Sequence, residues 1–399
     1  MRAFLTLTLL FGLAGFATAD DTIVRYDAVE AWRTVDDESV PYLFGVINQV
    51  RADSEGRVYL LDTQLQELHR FSADGEYEAL VCRSGEGPGE LSNTYWFTID
   101  PQDRVVLQRG FPPGLVLVDA DGTFLESVTF EGADGTPPFT FLGGGIAVTE
   151  VGFVVEGMVL DLTDPTVGQQ RLLATFGPDG ALIAEIARFT QPRVDFQASH
   201  ETIDERARFF PFARRAVSPE GRIFVARERE SYRVSMMDME GNTLDSIERG
   251  AVARPRTAEE LEEAKKAFSF SRTDGRPLPE FEFELESTVP PIAGVDFRDG
   301  ALWVRVDAPD LPEECFGRFD LWSPDGEFIE TREVYVPDVG DGDLSRALGA
   351  SRLVVLENYR SASRAASAGQ SIKVGNEEME ADEDVDAAMN VVVYDLVRR

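Results

Sequence analysis

Lysine and histidine are nearly absent from this 399-residue chain, and their scarcity narrows the kinds of site it can form. Lys265, Lys266 and Lys373 are the three lysines, so arginine supplies almost all of the 38 basic residues. The two histidines, His69 and His200, are too few for a histidine-rich zinc site. No Gly-x-Ser-x-Gly motif accompanies His200, so a serine hydrolase is not indicated, and His69 is predicted to lie at the surface or on a sheet face.

Cysteine is also rare, with two residues in the chain. After the first 19 residues, no apolar stretch approaches the length of a membrane span. Cys82 and Cys315 fall in the first and fifth copies of the repeat described below, and these copies are not neighbours in a ring of six. We therefore expect two free, buried thiols rather than a disulfide.

Basic residues are far fewer than acidic residues, so the formal net charge is -34. Such a field repels phosphate backbones and anionic bilayers, so nucleic acid and membrane surfaces are excluded as expected partners. Many carboxylates with few lysines suggest adaptation to high salt, whereas a GC-rich genome would also favour arginine over lysine. Both explanations stay open.

The first 19 residues have the pattern of a signal peptide. Arg2 precedes an uncharged apolar run over residues 3–16, and Ala17-Thr18-Ala19 is a small-x-small cleavage site. We predict cleavage before Asp20 and a secreted or periplasmic location, with residues 20–399 forming a single domain.

A two-part repeat organises that domain. Its first part is an apolar strand that usually follows a glycine, with copies beginning at Gly56, Asp103, Gly152, Gly221 and Gly300. Its second part is a strand that ends in an Asp-Gly or Glu-Gly turn, a strong hairpin signal, with turns at Asp74-Gly75, Asp121-Gly122, Asp179-Gly180, Glu240-Gly241 and Asp325-Gly326. Five paired copies indicate an all-β fold.

A sixth, degraded copy comprises residues 352–356 and 390–395, and its outer strand is missing. The N-terminal runs 22–26 and 31–35 have no tandem partner and can fill that gap. The sequence therefore predicts a six-bladed β-propeller whose ring is closed by N-terminal strands.

The spacing of the copies is 47, 49, 69 and 79 residues, and a four-stranded blade needs about 40 to 50 residues. The excess predicts insertions near residues 190–212 and 249–291. Thr257 and Glu260 have capping-box spacing, which predicts a short helix near 257–268 with Leu261, Ala264 and Phe268 on one face. Residues 361–388 are Ser/Ala-rich and then acidic, which predicts a mobile acidic loop.

Together with these repeats, Gly85-Glu86-Gly87-Pro88-Gly89-Glu90 after the first copy and residues 300–304 in the fifth resemble exported bacterial six-bladed β-propellers related to NHL-repeat proteins. The resemblance covers most of the chain from Asn48 to Asp395 and is weakest in the acidic loop. It implies a fold and an extracytoplasmic setting. Members of the group mostly have no assigned activity, so no catalytic residue follows from it.

A local reversal of charge gives the main candidate site. Residues 206–233 contain eight arginines and three acidic residues, interleaved with phenylalanines. One hypothesis is that Arg214 and Arg215 face the mouth of the central channel and bind an anion, because guanidinium groups match carboxylate or phosphate. The alternative is that these arginines pair with nearby acids while the phenylalanines anchor the insertion. Further ligand-binding candidates are Arg227, Arg109, Arg305 and Phe212.

Calcium needs only oxygen ligands, so the sequence offers two candidate metal sites. Residues 382–386 have the Asp-x-Asp-x-Asp rhythm of a calcium loop but fail the EF-hand pattern, so a solvated acidic loop is the better interpretation. A metal on the propeller axis, as in lactonase-type propellers, could use Asp62, Glu156 or Asn358; only their repeat positions support this. We predict no cofactor.

These observations favour an exported, monomeric binding or interaction scaffold for an unknown small molecule or protein, with an anionic small molecule at the channel mouth as one ligand. The alternative is a metal-dependent propeller hydrolase or lyase of the lactonase type. Calcium on the axis would favour the enzyme, and a metal-free funnel of arginine and aromatic residues would favour the binder.

Overall fold

The computed structural model describes residues 23–35, 39–110, 112–160, 169–272, 276–312, 314–337, 339–340, 342–366, 371–374, 377–379 and 389–399. The predicted signal peptide and the acidic run 382–386 lie outside these residues. Most of the described chain is β-strand, which confirms the predicted all-β class. The strands that follow form meanders, that is, groups of four antiparallel strands joined in order.

The chain begins with β1 (Ile23–Arg33), which pairs at the far end of the molecule. Meander 1 contains β2 (Ile47–Ala52), β3 (Val58–Asp62), β4 (Glu67–Phe71) and β5 (Tyr77–Cys82). Meander 2 contains β6 (Phe97–Ile99), β7 (Val105–Arg109), β8 (Gly114–Val118) and β9 (Phe124–Thr129). Meander 3 contains β10 (Phe141–Thr149), β11 (Gly152–Val159), β12 (Gln169–Phe176) and β13 (Leu182–Gln191).

Strand β14 (His200–Asp204) and a short 3-10 helix (Arg206–Arg208) follow meander 3. Meander 4 contains β15 (Arg215–Val217), β16 (Ile223–Val225), β17 (Ser231–Met237) and β18 (Thr243–Val252). The next insertion contains β19 (Arg254–Pro255), α1 (Ala258–Lys266), β20 (Ser269–Arg272), β21 (Glu280–Glu284) and β22 (Thr288–Val289).

Meander 5 contains β23 (Ile292–Arg298), β24 (Ala301–Val306), β25 (Cys315–Trp322) and β26 (Phe328–Tyr335). The C-terminal part contains β27 (Leu344–Leu348), β28 (Arg352–Glu357), α2 (Tyr359–Ala366), β29 (Ser371–Val374), β30 (Glu377–Met379) and β31 (Asn390–Arg398). Meander 6 has the order β27-β28-β31-β1, so the N-terminal strand supplies its fourth strand. Strand β1 also pairs in parallel with β26, which joins meanders 5 and 6.

The Asp-Gly turns between third and fourth strands follow from local chemistry. Gly75 has φ +89°, a conformation that residues with a Cβ rarely adopt. A Cβ at Gly75 would also lie 2.5 Å from the Trp32 ring, because the turn packs against β1. The glycine therefore serves both the turn and the contact between meanders 1 and 6.

Apolar clusters lie between the meanders. Consecutive meanders share one cluster each from meander 1 to meander 6. A further cluster joins the last meander to the first, with Val354 and Val393 packed in the same group as Val50 and Leu60. The predicted pairing of N-terminal and C-terminal strands is present between β1 and β31. The blade number and the closed ring stay predictions.

Side chains from one meander also bind the hairpin of the next. Arg70 of meander 1 donates to the carbonyl of Ala120 in meander 2, and Arg222 of meander 4 donates to Pro324 of meander 5. Arg352 of meander 6 donates to the carbonyl of Ala73 in meander 1, 2.9 Å away. Each acceptor lies directly before the acidic residue of the turn, so the same hairpin position is used repeatedly.

The inserted helix is confirmed. Thr257 is its N-cap, and its side chain accepts a hydrogen bond from the Glu260 backbone N–H at 3.2 Å. The Glu260 carboxylate accepts one from the Thr257 backbone N–H at 2.8 Å, completing the capping box. Strand β20 of this insertion pairs with β29 of the C-terminal part.

Three expectations need correction. The segment 361–388 was predicted to be a mobile loop, but its described residues include the end of α2 and strands β29 and β30, because Ala-rich sequence favours helix and β20 offers an edge for pairing. Cys82 and Cys315 are both free, but Cys315 is half-buried rather than buried. His69 is 2% exposed on β4, so of its two predicted placements only the sheet face holds.

Candidate functional site

The face of meander 3 that packs on meander 4 ends in charged residues. Val154 and Leu173 belong to the apolar cluster between the two meanders. Glu156 lies two residues beyond Val154 and Arg171 two residues before Leu173, so both point from the same face. Polar side chains therefore border this interface where the apolar packing stops.

Glu156 is buried and accepts from two arginines. Arg171 Nε lies 2.8 Å from its Oε1 atom, and Arg215 Nη1 lies 2.6 Å from its Oε2 atom. Arg215 is the first residue of β15 in meander 4, so this carboxylate links the two meanders. Arg215 Nη1 also donates to the carbonyl of Phe212, 3.1 Å away.

Arg227 extends the group along meander 4. Strand register places Arg215, Val225 and Ser235 opposite one another, and Arg227 lies two residues beyond Val225 on the same face. The Arg227 guanidinium donates to Ser235 Oγ at 3.2 Å and lies 5.8 Å from the centroid of the Phe212 ring. Stacking on an aromatic ring holds a guanidinium in one plane and leaves its N–H edges accessible.

We call Arg171, Arg215, Arg227 and Glu156 the guanidinium cluster. Within the described part of the chain, Glu156 pairs with Arg171 and Arg215, and no carboxylate forms an ion pair with Arg227. Three positive charges against one negative leave a local excess in a protein of net charge -34. Excess guanidinium groups at the edge of an apolar interface can bind a carboxylate, phosphate or sulfate through charge-assisted hydrogen bonds.

Arg214 does not join this cluster. Successive strand residues point to opposite faces, and the Arg214 guanidinium turns toward meander 5, where it donates to the carbonyl of Ile292 at 2.6 Å. It also donates to the carbonyl of Glu228 at 3.0 Å. Burial, with a smaller contribution from Arg229, lowers the pKa of Arg214 to about 10. The two neighbouring arginines therefore serve different interfaces.

Arg109 and Arg305 lie elsewhere, on the second strands of meanders 2 and 5. Arg109 Nε donates to the carbonyl of Pro112 at 2.9 Å, and Arg305 Nη2 donates to the carbonyl of Phe316 at 2.9 Å. Arg109 thus binds a carbonyl of the loop before the third strand, and Arg305 binds a carbonyl of the third strand itself. Burial lowers the pKa of Arg305, with Arg298 adding to the effect. The structure does not bring either residue to the guanidinium cluster.

The residues considered for a metal have other partners. Asp62 is fully buried, and its carboxylate accepts four backbone N–H bonds, from Gly45, Val46, Gln64 and Leu65. Glu156 is held by arginines, and the Asn358 backbone N–H donates to Asp343 at 2.9 Å. Among the residues described, no group of three or more histidine, cysteine or acidic side chains is arranged to hold a metal.

The other face of meander 4 has a different arginine-rich region. A cleft of about 550 Å³ lies between meanders 4 and 5, and we call it the Asp320 cleft. The buried Asp320 carboxylate accepts from Thr331 Oγ1 at 2.8 Å and pairs with Arg249 Nη1 at 2.7 Å. Tyr232 contacts Asp320 and accepts from Trp322 Nε1 at 3.0 Å. Burial, assisted by Asp320, raises the pKa of Tyr232.

Two further arginines of the cleft are fully engaged by acids. Arg254 pairs with Glu260 and Asp307 at 2.5 and 2.6 Å. Arg318 pairs with Glu333 and Asp310 at 2.6 and 3.1 Å. The cleft thus sets three arginines against five carboxylates, so each arginine has a carboxylate partner and the acids are in excess.

Sequence reasoning missed Arg171, Ser235 and Asp320. Arg171 lies outside the arginine-rich stretch, so counting charge along the chain could not include it. Asp320 is a lone acid in the apolar strand β25, between Phe319 and Leu321. An isolated charge within a strand core is the signal that could have marked it as a buried partner.

Comparisons with known proteins assign no family. No family model matches the chain, and no curated protein matches it. The chain is similar to the structure of a DUF4221 family member from Bacteroides vulgatus, at 10% identity, with 94% of this chain and 98% of that chain covered and a TM-score of 0.45.

Two enzymes are also similar to the chain. Virginiamycin B lyase from Staphylococcus aureus shows 9% identity, with 91% and 99% of the two chains covered and a TM-score of 0.39. A gluconolactonase from Xanthomonas campestris shows 11% identity, 88% coverage of both chains and a TM-score of 0.39. At these TM-scores and identities, the likenesses give the chain neither a family nor an activity. Separately, none of the helices in the described ranges has the length and apolar character to cross a membrane.

Proposed function

We propose that this protein is an exported, six-bladed β-propeller that binds anionic small molecules at the guanidinium cluster. The six meanders would be the blades, and β1 would complete the last blade beside β31. The predicted signal peptide supports export.

Two observations support the ring. The apolar cluster shared by meanders 6 and 1 is of the same kind as those between consecutive meanders. The bond from Arg352 to Ala73 repeats, between the last and first meanders, the contact that Arg70 and Arg222 make with the meanders that follow them. A closed propeller leaves no meander without neighbours on both faces.

One observation carries the binding function: at the mouth of the interface between meanders 3 and 4, Arg171 and Arg215 share the Glu156 carboxylate, and Arg227 pairs with no carboxylate among the described residues. In so acidic a protein, Arg227, which has no carboxylate partner among the described residues, favours an external anion. Phe210 lies 4.4 Å from the Arg171 guanidinium, so that donor is also held in place by an aromatic ring.

The test is calorimetric titration of the mature protein with acetate, inorganic phosphate and sulfate at low ionic strength. We expect binding of at least one of these anions, and Arg227→Ala should weaken it about tenfold because one charge-assisted donor is lost. The midpoint of thermal unfolding should change little, because Arg227 is exposed and bonds one side chain, Ser235.

The matched control is Arg188→Ala. Arg188 is also exposed, but it pairs with Glu185 at 2.7 Å on the outer strand of meander 3. Its loss should leave anion affinity unchanged. The proposal is wrong if none of the three anions binds, or if both variants weaken binding equally.

A further inference from the structure

A partly exposed apolar surface lies beside the guanidinium cluster. Strand register places Phe141 of β10 opposite Met158 of β11, and Met158 opposite Arg171 of β12. Residues paired in this way across neighbouring strands share one face of the sheet. Phe141 and Met158 therefore lie on the same face as Arg171, toward meander 4.

Phe141 is one of the exposed large apolar residues of the protein. It is 41% exposed, although it begins the first strand of meander 3, and Met158 is half-buried. The other residues of this face, Val154 and Leu173, are buried in the cluster with meander 4. An exposed apolar ring thus lies on the same face as arginines that outnumber their carboxylate partner among the described residues.

From the paired positions of Phe141, Met158 and Arg171 we infer that the ligand is an amphipathic organic acid. Its anionic group would bind Arg171, Arg215 and Arg227, and its aromatic or alkyl body would cover Phe141 and Met158. Neighbouring strands are about 4.8 Å apart, so roughly 10 Å separate the backbone positions of Arg171 and Phe141. A carboxylate with a body of several carbon atoms spans that distance, whereas acetate or phosphate does not.

This inference rests on the proposed anion-binding function and adds the class of ligand. Burial of one methylene group strengthens binding about fourfold, so affinity should rise along a series of straight-chain carboxylates until the chain passes Phe141. Calorimetric titration with acetate, butyrate, hexanoate and octanoate measures this slope. We expect octanoate to bind at least tenfold more tightly than acetate.

Two variants separate the head from the body of the ligand. Phe141→Ala should weaken octanoate binding about tenfold and leave acetate unchanged, whereas Arg227→Ala should weaken every member of the series by a similar factor. The control is Phe124→Ala, because Phe124 is 39% exposed but lies on the outer strand of meander 2.

Equal affinities for acetate and octanoate would overturn the inference and leave the proposed anion site standing. The inference is also overturned if Phe124→Ala weakens octanoate binding as much as Phe141→Ala does. If no carboxylate, phosphate or sulfate binds at all, the proposed function itself is wrong.

Discussion

Meander 4 has arginines on both faces, and the two faces treat them in opposite ways. Toward meander 3, Arg171 and Arg215 share the carboxylate of Glu156, and Arg227 pairs with no carboxylate among the described residues. Toward meander 5, three arginines of the Asp320 cleft meet five carboxylates. The same residue type therefore neutralises acids at one interface and is left in excess at the other.

The difference shows that the number of arginines does not identify a binding site. The cleft has a volume of about 550 Å³, yet its guanidinium groups are committed to Asp320, Asp307 and other acids. An added anion would have to displace these partners, and the freed carboxylates would then repel it. The guanidinium cluster has donors in excess, which is what an anion requires.

The largest effect should come from breaking the cleft. We expect Asp320→Ala to lower the free energy of unfolding by about 3 to 5 kcal/mol, because it removes the buried carboxylate that Arg249 and Tyr232 contact. Urea unfolding measures the change. Asp310→Ala is the matched control, since Asp310 is largely exposed beside Arg318 and should cost less than about 1 kcal/mol. Equal losses would mean that the cleft is not held by its buried acid.

The next expected effect is smaller, and it is a gain in anion affinity produced by Glu156→Gln. The amide keeps one hydrogen-bond acceptor near Arg171 and Arg215 but removes the negative charge that competes with a ligand. We expect anion affinity to rise about tenfold, while stability falls. Calorimetry measures the affinity, and Glu185→Gln, which alters an exposed pair with Arg188, should change nothing. Unchanged or weaker binding in Glu156→Gln would contradict this assignment.

The smallest expected effect concerns stability at low pH. The hydrogen bond that Arg254 donates to the Glu260 carboxylate, together with one from the Thr257 backbone N–H, lowers the pKa of Glu260 to about 2. As the pH falls, Glu260 is protonated in the unfolded chain before it is protonated in the folded protein. The stabilisation that its carboxylate gives the fold is therefore present above about pH 4.5 and lost as the pH falls toward 2. Urea unfolding at pH 5 and pH 3 should show a smaller loss in Glu260→Gln than in the unchanged protein.

The control for the acid experiment is Glu262→Gln on the same helix. Glu262 pairs with Lys265 and is largely exposed. Its variant should lose as much stability between pH 5 and pH 3 as the unchanged protein does. If Glu260→Gln and Glu262→Gln behave alike, the rim of the cleft is not held by Glu260.

Local features could be predicted from sequence, and distant partners could not. The capping box of Thr257 and Glu260 involves neighbours along the chain, so spacing alone was sufficient. The missing outer strand of the sixth copy correctly pointed to β1, because an unpaired sheet edge needs a partner. By contrast, Arg215 binds Glu156 across 59 residues, and no local pattern relates them.

The candidate site was therefore only partly predicted. Arg215, Arg227 and Phe212 lie together, but Arg214 turns away because adjacent strand residues alternate between faces. Glu156 was chosen for its repeat position as a possible metal ligand, and the structure gives it two arginine partners instead. The repeat position of Glu156 did not reveal its partners, because Arg215 belongs to the neighbouring meander.

The composition of meander 6 also constrains the order in which the protein can be made. Its fourth strand, β1, is synthesised first, and its third strand, β31, is synthesised last. During translation β1 must wait unpaired until β26 and then β31 emerge. The apolar cluster that holds Trp32 with Val391 and Val393 can form only then. Strand β1 can therefore complete its pairing only after β31 has been made.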